Sequence, residues 1–336
     1  MSSPLVSVLL PVRDGGPYLL QAIASLRAQS MPDFEVIAVD DGSTDDSLDQ
    51  LETWAASDHR VRIVSQPKGG IVAALEAARD QARGSYLARM DADDIAAPRR
   101  LEHQLALVAS DDSLVAVGCQ VEYFPENALR DGARRYQDWI NALTTTTDIA
   151  RDMFVECPLA HPTLLARAKE VMAVGGYRST GWPEDYDLIL RLWEAGGKFA
   201  KVPEALLKWR ERADRLSRVD PTYSLDAFRH CKVHYLVRTL FQDRDGVVVW
   251  GAGPTGKGMA RALLEAKVPL RAFVELDPRK IGRRIYGAPV VPPTMINEYQ
   301  ASFCLAAVAQ PGAREEIRAA LAEAGWLEMK DFVAVA

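Results

Sequence analysis

Over the first hundred residues, short apolar runs alternate with longer segments of helical period. Val6-Ser7-Val8-Leu9-Leu10-Pro11 is a β-branched and leucine run stopped by proline, the pattern of a buried parallel strand. From Tyr18 to Gln29 the apolar positions Leu19, Ala22, Ile23 and Leu26 fall at helical spacing. Glu35-Val36-Ile37-Ala38-Val39 is a second strand, and the three pieces make a βαβ unit. A helix from Ser47 to Ala56, a strand from Val61 to Ser65, an alanine-rich helix from Ile71 to Arg83 and a strand from Leu87 to Met90 continue the alternation. Four strands alternating with helices predict a doubly wound α/β sheet with its site along one edge.

The loops that leave these strands carry the candidate chemistry. Asp91-Ala92-Asp93-Asp94 follows directly on the fourth apolar run. Residues two apart on an extended chain face the same way, so Asp91 and Asp93 can project their carboxylates together where open α/β sheets bind ligands. That pair suits one hard divalent cation, Mg²⁺ or Mn²⁺, which keeps positions for water and substrate phosphates. Asp93 and Asp94 equally suit the cap of a helix ahead of Pro98. Asp40-Asp41-Gly42-Ser43-Thr44-Asp45 offers acids to a nucleobase or ribose, and also the residues of a tight turn and helix cap. Gln66-Pro67-Lys68-Gly69-Gly70 either brings backbone amides and one cation to phosphate or is a flexible connector.

In order and content, four stretches resemble the family two glycosyltransferases, whose nucleotide-diphospho-sugar transferase fold is called GT-A. They are Ser7 to Arg13, Val39 to Asp45, Arg83 to Asp94, and Pro98-Arg99-Arg100-Leu101-Glu102-His103-Gln104. The resemblance implies that Pro11, Val12 and Arg13 line the nucleotide, that Asp41 contacts uracil and that Lys68 lies near base and ribose. It implies that Asp93 holds the metal, with Asp91 nearer the ribose. Glu76 departs from the pattern, since relatives often have asparagine there.

The middle of the chain extends the resemblance. Val115-Ala116-Val117-Gly118 reads as another buried strand, and the segment from there to about Thr147, of mixed charge and no clear period, is expected to be a variable acceptor loop. His161 matches a position able to touch the diphosphate or acceptor, and is also open to a structural, hydrogen-bonded role. Trp182-Pro183-Glu184-Asp185-Tyr186-Asp187 resembles the family's glutamate-aspartate motif, in which Asp185 matches the general base. A carboxylate is needed there because an acceptor hydroxyl is a poor nucleophile until its proton is partly removed. Glu184 and Asp187 are rivals for the role, and acids capping a helix are the alternative. Trp182 is open to sugar stacking or plain packing. Pro203 to Ser217 resembles the end of the catalytic domain, with Arg212 where relatives commonly have histidine. A guanidinium there can meet a diphosphate but cannot bind a metal, and a solvated basic loop is the alternative.

A helical stretch from Tyr223 to Gln242 is expected to link two domains, divided as 1–220, 221–244 and 245–336. His230, Cys231 and His234 have metal-ligand spacing on that helix but no further placed ligands, and its basic, apolar character also allows a membrane surface. Val247-Val248-Val249-Trp250 runs into Gly251, Gly253 and Gly256 of a GxGxxG pattern, with Glu275 at the spacing of a ribose-binding acid. This last segment resembles the small Rossmann-like domain at the front of bacterial sugar acetyltransferases, which implies nucleotide-sugar binding. A degenerate packing module is the preferred reading, and nucleotide sensing and hydride transfer remain open.

At 336 residues the chain is long for one core, and a net charge of −6 argues against a general nucleic-acid binder. The four cysteines form no CxxC pair, which fits reduced thiols in a cytosolic protein. Met1-Ser2-Ser3-Pro4 opens no signal-peptide pattern, and no window reaches the ~18 apolar residues of a membrane span. The family resemblance implies an inverting glycosyltransferase using Mn²⁺ or Mg²⁺, and the composition adds the expectation of a cytoplasmic location, with peripheral contact at the inner membrane face left open. Its donor is expected to be a UDP-sugar, its acceptor a glycan or lipid-linked glycan, and its role polysaccharide biosynthesis. A non-catalytic nucleotide-sugar-binding regulator is the alternative.

Overall fold

The computed structural model describes residues 3–336, so Met1 and Ser2, on which the signal-peptide expectation partly rests, lie outside the described residues. The chain divides into two compact units. The first comprises Met1–Ile149, Pro158–Thr180 and Asp187–Arg218, and the second Ala150–Cys157, Gly181–Tyr186 and Val219–Ala336.

The predicted alternation is present. β1 (Val6–Val12), α1 (Gly16–Arg27), β2 (Phe34–Asp41), α2 (Ser47–Ser57), β3 (Val61–Gln66), α3 (Ile71–Gln81) and β4 (Tyr86–Arg89) follow one another within a residue or two of the apolar pattern. There follow β5 (Ile95–Ala96), α4 (Arg100–Ser110), β6 (Leu114–Phe124), α5 (Asp131–Ala142), α6 (Thr146–Asp152), β7 (Leu165–Arg167), α7 (Ala168–Ala173), α8 (Glu184–Glu194), β8 (Lys198–Arg210) and α9 (Leu216–Val219). One sheet takes eight of these strands in the order β3-β2-β1-β4-β7-β6-β8-β5.

The variable loop expected after Gly118 is not there. β6 runs on to Phe124, and α5 packs Ile140 inward while Asn141 brackets the backbone of Val121, donating to its carbonyl at 2.8 Å and accepting from its N–H at 2.9 Å. The strand lies beside β8 along its length, with Tyr123 stacked on Trp209 at 4.9 Å. Partners distant in sequence supply the burial that local periodicity did not reveal.

β1, β2, β3 and β4 are mutually parallel, and their registers, Val12 opposite Asp40, Asp41 opposite Gln66 and Leu9 opposite Arg89, bring their carboxyl ends to one edge. At the opposite end Glu35, buried in the strand, accepts from Ser7 Oγ and from the backbone and guanidinium of Arg83, which ties β1, β2 and the entry to β4 together. The edge that carries the candidate residues thus rests on a satisfied buried carboxylate.

In the second unit, α10 (Leu225–Thr239) precedes β9 (Val247–Trp250), α11 (Pro254–Glu265), β10 (Leu270–Val274), β11 (Arg284–Ile285), β12 (Ala288–Val291), β13 (Phe303–Ala306), α12 (Ala313–Glu323) and β14 (Phe332–Ala334). Its six-stranded sheet has the order β11-β12-β10-β9-β13-β14, parallel except at β11, over a core that includes Val248, Trp250, Leu321 and Phe332. Gly256 lets α11 approach β9, since a Cβ there would sit 1.8 Å from the Gly251 carbonyl oxygen. Gly256→Ala is therefore expected to cost this unit about 1–3 kcal/mol or more through overpacking, read as a lower urea midpoint. An unchanged midpoint would show that the glycine serves something other than packing.

Candidate active site

The four loops at the carboxyl edge are built largely from one another. Asp14 Oδ1 accepts from Thr44 N at 2.7 Å, Ser47 Oγ accepts from Gly15 N at 2.9 Å, and Asp45 Oδ2 accepts from Gly16 N at 2.9 Å, so the exits of β1 and β2 are stitched together. Pro11 and Val12 are buried in β1, while Arg13 stands in solvent beside Asp14 at 3.6 Å.

Asp41 is buried at the end of β2 and holds the next loop. Its Oδ1 accepts from Gln66 Nε2 and Gly69 N, both at 2.7 Å, and its Oδ2 from Gly70 N at 2.8 Å. The loop is thus tied to β2 through Gln66, Gly69 and Gly70. Lys68 is carried exposed on it. Gly42, with φ of +68°, is required here, because a Cβ would meet Lys68 N at 2.8 Å.

Past β4 the acids converge. Ligand oxygens of Asp91, Asp93 and Asp94 lie within 4.8 Å of one another, the one such cluster of metal-ligating groups among the described residues. Asp91 Oδ1 is 2.5 Å from Arg89 Nη2. Asp94 is fully buried, its Oδ1 accepts from Arg210 N at 2.8 Å, and its Oδ2 has no hydrogen-bond partner. Burial, then the charges of Asp91 and Asp93, raise the Asp94 carboxyl well above its ordinary range. Burial and Asp91 raise Asp93 in the same direction, against the opposing charges of Arg212 and Arg215. A buried carboxylate oxygen with no donor, next to two part-exposed carboxylates, fits a divalent oxygen-ligated cation. From sequence alone Asp94 reads only as a helix cap; the N–H that satisfies its other oxygen comes from β8, which arrives alongside.

β8 does arrive, because β5 pairs antiparallel with it, Ile95 opposite Lys208. Arg210 Nε donates to Asp93 O at 2.6 Å and its Nη2 to Gln21 Oε1 at 2.8 Å, with the guanidinium against the rings of Tyr18 and Phe124. Arg210 is buried, so the alternative of a solvated basic loop fails at this residue. Beneath the acids, fully buried Arg100 donates to the carbonyl of Arg89 and to Gln104 Oε1 at 3.1 Å, and Gln104 Nε2 donates to Thr163 O at 2.6 Å. The Arg-Arg-Leu-Glu-His-Gln motif therefore fixes the acid strand to the 3-10 turn His161–Thr163.

On that turn, His161 Nε2 lies 3.1 Å from Tyr177 Oη, and burial with the nearby Arg89 charge holds its pKa well below the usual value. The imidazole is neutral at physiological pH. Tyr177 N donates to Glu76 Oε1 at 2.7 Å, and Glu76 pairs with Arg79. The glutamate that departs from the family pattern thus has a positioning role of its own.

Glu184 and Asp185 open α8 and fall in the second unit. Glu184 is buried and Tyr223 Oη donates to its Oε2 at 2.6 Å. Asp185 retains some exposed surface, yet burial of its carboxyl, with the charges of Glu184 and Glu156, pushes its pKa up to about 8. Tyr186 N donates to Asp185 Oδ1 at 2.7 Å. Asp187 instead pairs with Arg191 at 2.8 Å one helical turn on, and Arg191 holds Val174 O, a structural assignment for this rival. Trp182 packs against His234 at 5.3 Å, and His230 pairs with Glu265 at 2.8 Å, so the histidines of α10 do not converge on a metal site.

The GxGxxG turn in the same unit is closed on itself. Gly251 N donates to Val274 O at 2.8 Å, and Glu275 Oε2 accepts from Ala252 N at 3.2 Å and from Lys280 at 2.8 Å. Gly253 has open space around its Cα.

The sequence pattern of Glycosyl transferase family 2 matches residues 7–173. A Bacillus subtilis protein named, provisionally, as glycosyltransferase EpsE is 34% identical over 230 residues, which span 67% of this chain and 80% of that protein. The chain belongs to glycosyl transferase family 2. Among solved structures, S. aureus TarS 1-349 in complex with UDP-GlcNAc matches this family 2 glycosyltransferase with a TM-score of 0.56 at 16% identity, over 69% of this chain and just under two thirds, 66%, of that one. The mannosyltransferase PcManGT of Pyrobaculum calidifontis, in complex with GDP-Man and Mn2+, matches over 97% of this chain and 76% of its own with a TM-score of 0.52 at 18% identity. These likenesses establish the α/β GT-A fold followed by a second mixed α/β sheet domain. Among the described residues of this glycosyltransferase, no helix is long and apolar enough to cross a membrane.

Proposed function

We propose that this glycosyltransferase moves a sugar from a nucleoside-diphosphate donor to an acceptor hydroxyl of a glycan or lipid-linked glycan in polysaccharide assembly, with inversion at the anomeric carbon. The observation that carries the reading is the acid triad, whose buried Asp94 oxygen lacks any donor while Asp91 and Asp93 stay part-exposed beside it. Asp93, assisted by Asp91, would hold Mn²⁺ or Mg²⁺. Such an ion, when bound, offsets the charge that grows on the departing nucleoside diphosphate.

Pro11, Val12 and Arg13 line the nucleotide, and Asp41, by anchoring the Gln66 to Gly70 loop, sets where Lys68 meets the donor. His161, kept neutral and oriented by Tyr177, offers a hydrogen bond to donor or acceptor without adding charge. Arg212 answers the diphosphate charge. Asp185 takes the proton of the attacking hydroxyl, and one displacement from the opposite face inverts the stereochemistry. Glu184, already accepting from Tyr223, raises the proton affinity of Asp185 rather than serving as the base. A UDP-sugar is the proposed donor on family resemblance, since the solved likenesses hold both UDP- and GDP-sugars. We assign 1–220 to transfer, 221–244 to the link and 245–336 to packing, a role supported by the glycine contacts and the engaged Glu275. The nucleotide-sugar-binding alternative for that domain predicts a ligand at Gly253.

A thermal-shift panel of UDP-, GDP- and dTDP-sugars, each with and without Mn²⁺, tests the reading. A true donor at a hundredfold excess over Kd adds about 2.7 kcal/mol of stability, a midpoint shift of several degrees that depends on the metal. If no nucleotide sugar raises the midpoint under either condition, the proposal is wrong.

A further inference from the structure

Two arginines face Asp93, and they are held differently. Arg215 is fixed, with Nη1 3.2 Å from Glu211 Oε2 and its guanidinium 4.5 Å over the Trp209 ring. Arg212 has no directed bond at Nε. That nitrogen lies 3.5 Å from Asp93 Oδ2 and 3.1 Å from Asp214 Oδ1, yet neither contact has hydrogen-bond geometry, and the nitrogen is buried. The guanidinium carbon is 5.1 Å from the Tyr18 ring centroid. Arg212 is thus poised on an aromatic face between a part-buried acid of the triad and an acid, Asp214, that is 75% exposed. Leaving either carboxylate breaks no aligned bond.

From this geometry we propose that Arg212 is a resident counter-cation of Asp93 that yields its place to a divalent cation and is thereby released to the donor diphosphate. The inference rests on the reading of Asp93 as the residue that holds the metal. The physical reason is competition for one carboxylate: a guanidinium and a divalent cation repel at these separations, and one Asp93 oxygen edge cannot serve both. Once displaced, the planar, permanently charged guanidinium has a natural partner in phosphate oxygens. Arg212 therefore opposes metal binding in the free protein and assists nucleotide binding in the metal-loaded one.

The test titrates Mn²⁺ alone into the full-length protein and reads free Mn²⁺ by electron paramagnetic resonance, for wild type, Arg212→Gln, Arg212→Lys and Asp93→Asn. Both Arg212 contacts are partly exposed, so the substitutions leave the fold intact, which equal thermal midpoints verify. Arg212→Gln is expected to bind Mn²⁺ about tenfold tighter than wild type, and Arg212→Lys within about threefold of it. With Mn²⁺ saturating, UDP should bind Arg212→Gln about tenfold more weakly. Mn²⁺ affinity that is unchanged, weaker or undetectable in Arg212→Gln overturns the proposal. Wild-type Mn²⁺ affinity in Asp93→Asn would instead overturn the metal assignment on which it stands.

Discussion

Asp93→Asn is expected to lower kcat/KM by about 10³-fold, a loss of about 4 kcal/mol of transition-state stabilisation, measured as release of nucleoside diphosphate. The same variant should lose the Mn²⁺-dependent part of its nucleotide-induced thermal shift. Its fold is expected to hold or gain. In the free protein Asp93 stands beside Asp91 and Asp94, and burial with Asp91 raises its proton affinity. A carboxyl with a raised folded pKa contributes stability that is present below its unfolded value and lost as pH rises through the folded one. When ionised, Asp93 is crowded by the neighbouring acids, and a neutral isostere removes that crowding. Wild-type turnover with an intact Mn²⁺ response in this variant would remove the triad from the mechanism.

Asp185→Asn is expected to lower kcat by about 10²–10⁴-fold while leaving UDP and Mn²⁺ affinity within about twofold. The wild-type pH profile supplies an independent check. With its carboxyl pushed up to about 8, Asp185 is largely protonated at pH 7, so kcat/KM should climb about tenfold per pH unit towards 8 and then level. The stability linkage runs the other way: the protonated form is favoured by folding, so the contribution of Asp185 is lost as pH rises through about 8. Glu184→Gln lowers the Asp185 pKa by deleting a neighbouring charge, and should shift the activity rise to lower pH. If Glu184→Gln abolishes transfer and Asp185→Asn does not, the base is Glu184, which Tyr223 already engages.

The parallel strands were legible because each is a short, mainly apolar and largely β-branched run between polar loops, so composition and order alone place them. The acid pair was legible for the same reason, since three carboxylates directly after a buried run demand a partner. β6 beyond Gly118 and α5 were not legible. Their apolar faces meet β8 and Trp209, which lie some eighty residues away in the chain, and the local sequence mixes charge with aromatics. Arg100 and Gln104 were visible only as motif letters. Their work, holding the backbone of Arg89 and Thr163 in a buried setting, exists only once the sheet is assembled. Glu76 read as a departure from pattern and turned out to hold Tyr177 N, a hydrogen bond across about a hundred residues.

By itself the amino-acid order determined the alternation of strand and helix and the acids at the carboxyl edge, which follow from local periodicity, and its contiguous motifs carry the resemblance to the family. Tertiary structure alone decided which carboxylates are satisfied. Asp41 is taken up by the Gln66 to Gly70 loop, Glu35 by Ser7 and Arg83, and Glu184 by Tyr223, whereas one oxygen of Asp94 has no donor at all. The reason is that a carboxylate's proton affinity and availability depend on burial and on charges brought near by folding, and most of those come from residues that are remote in sequence.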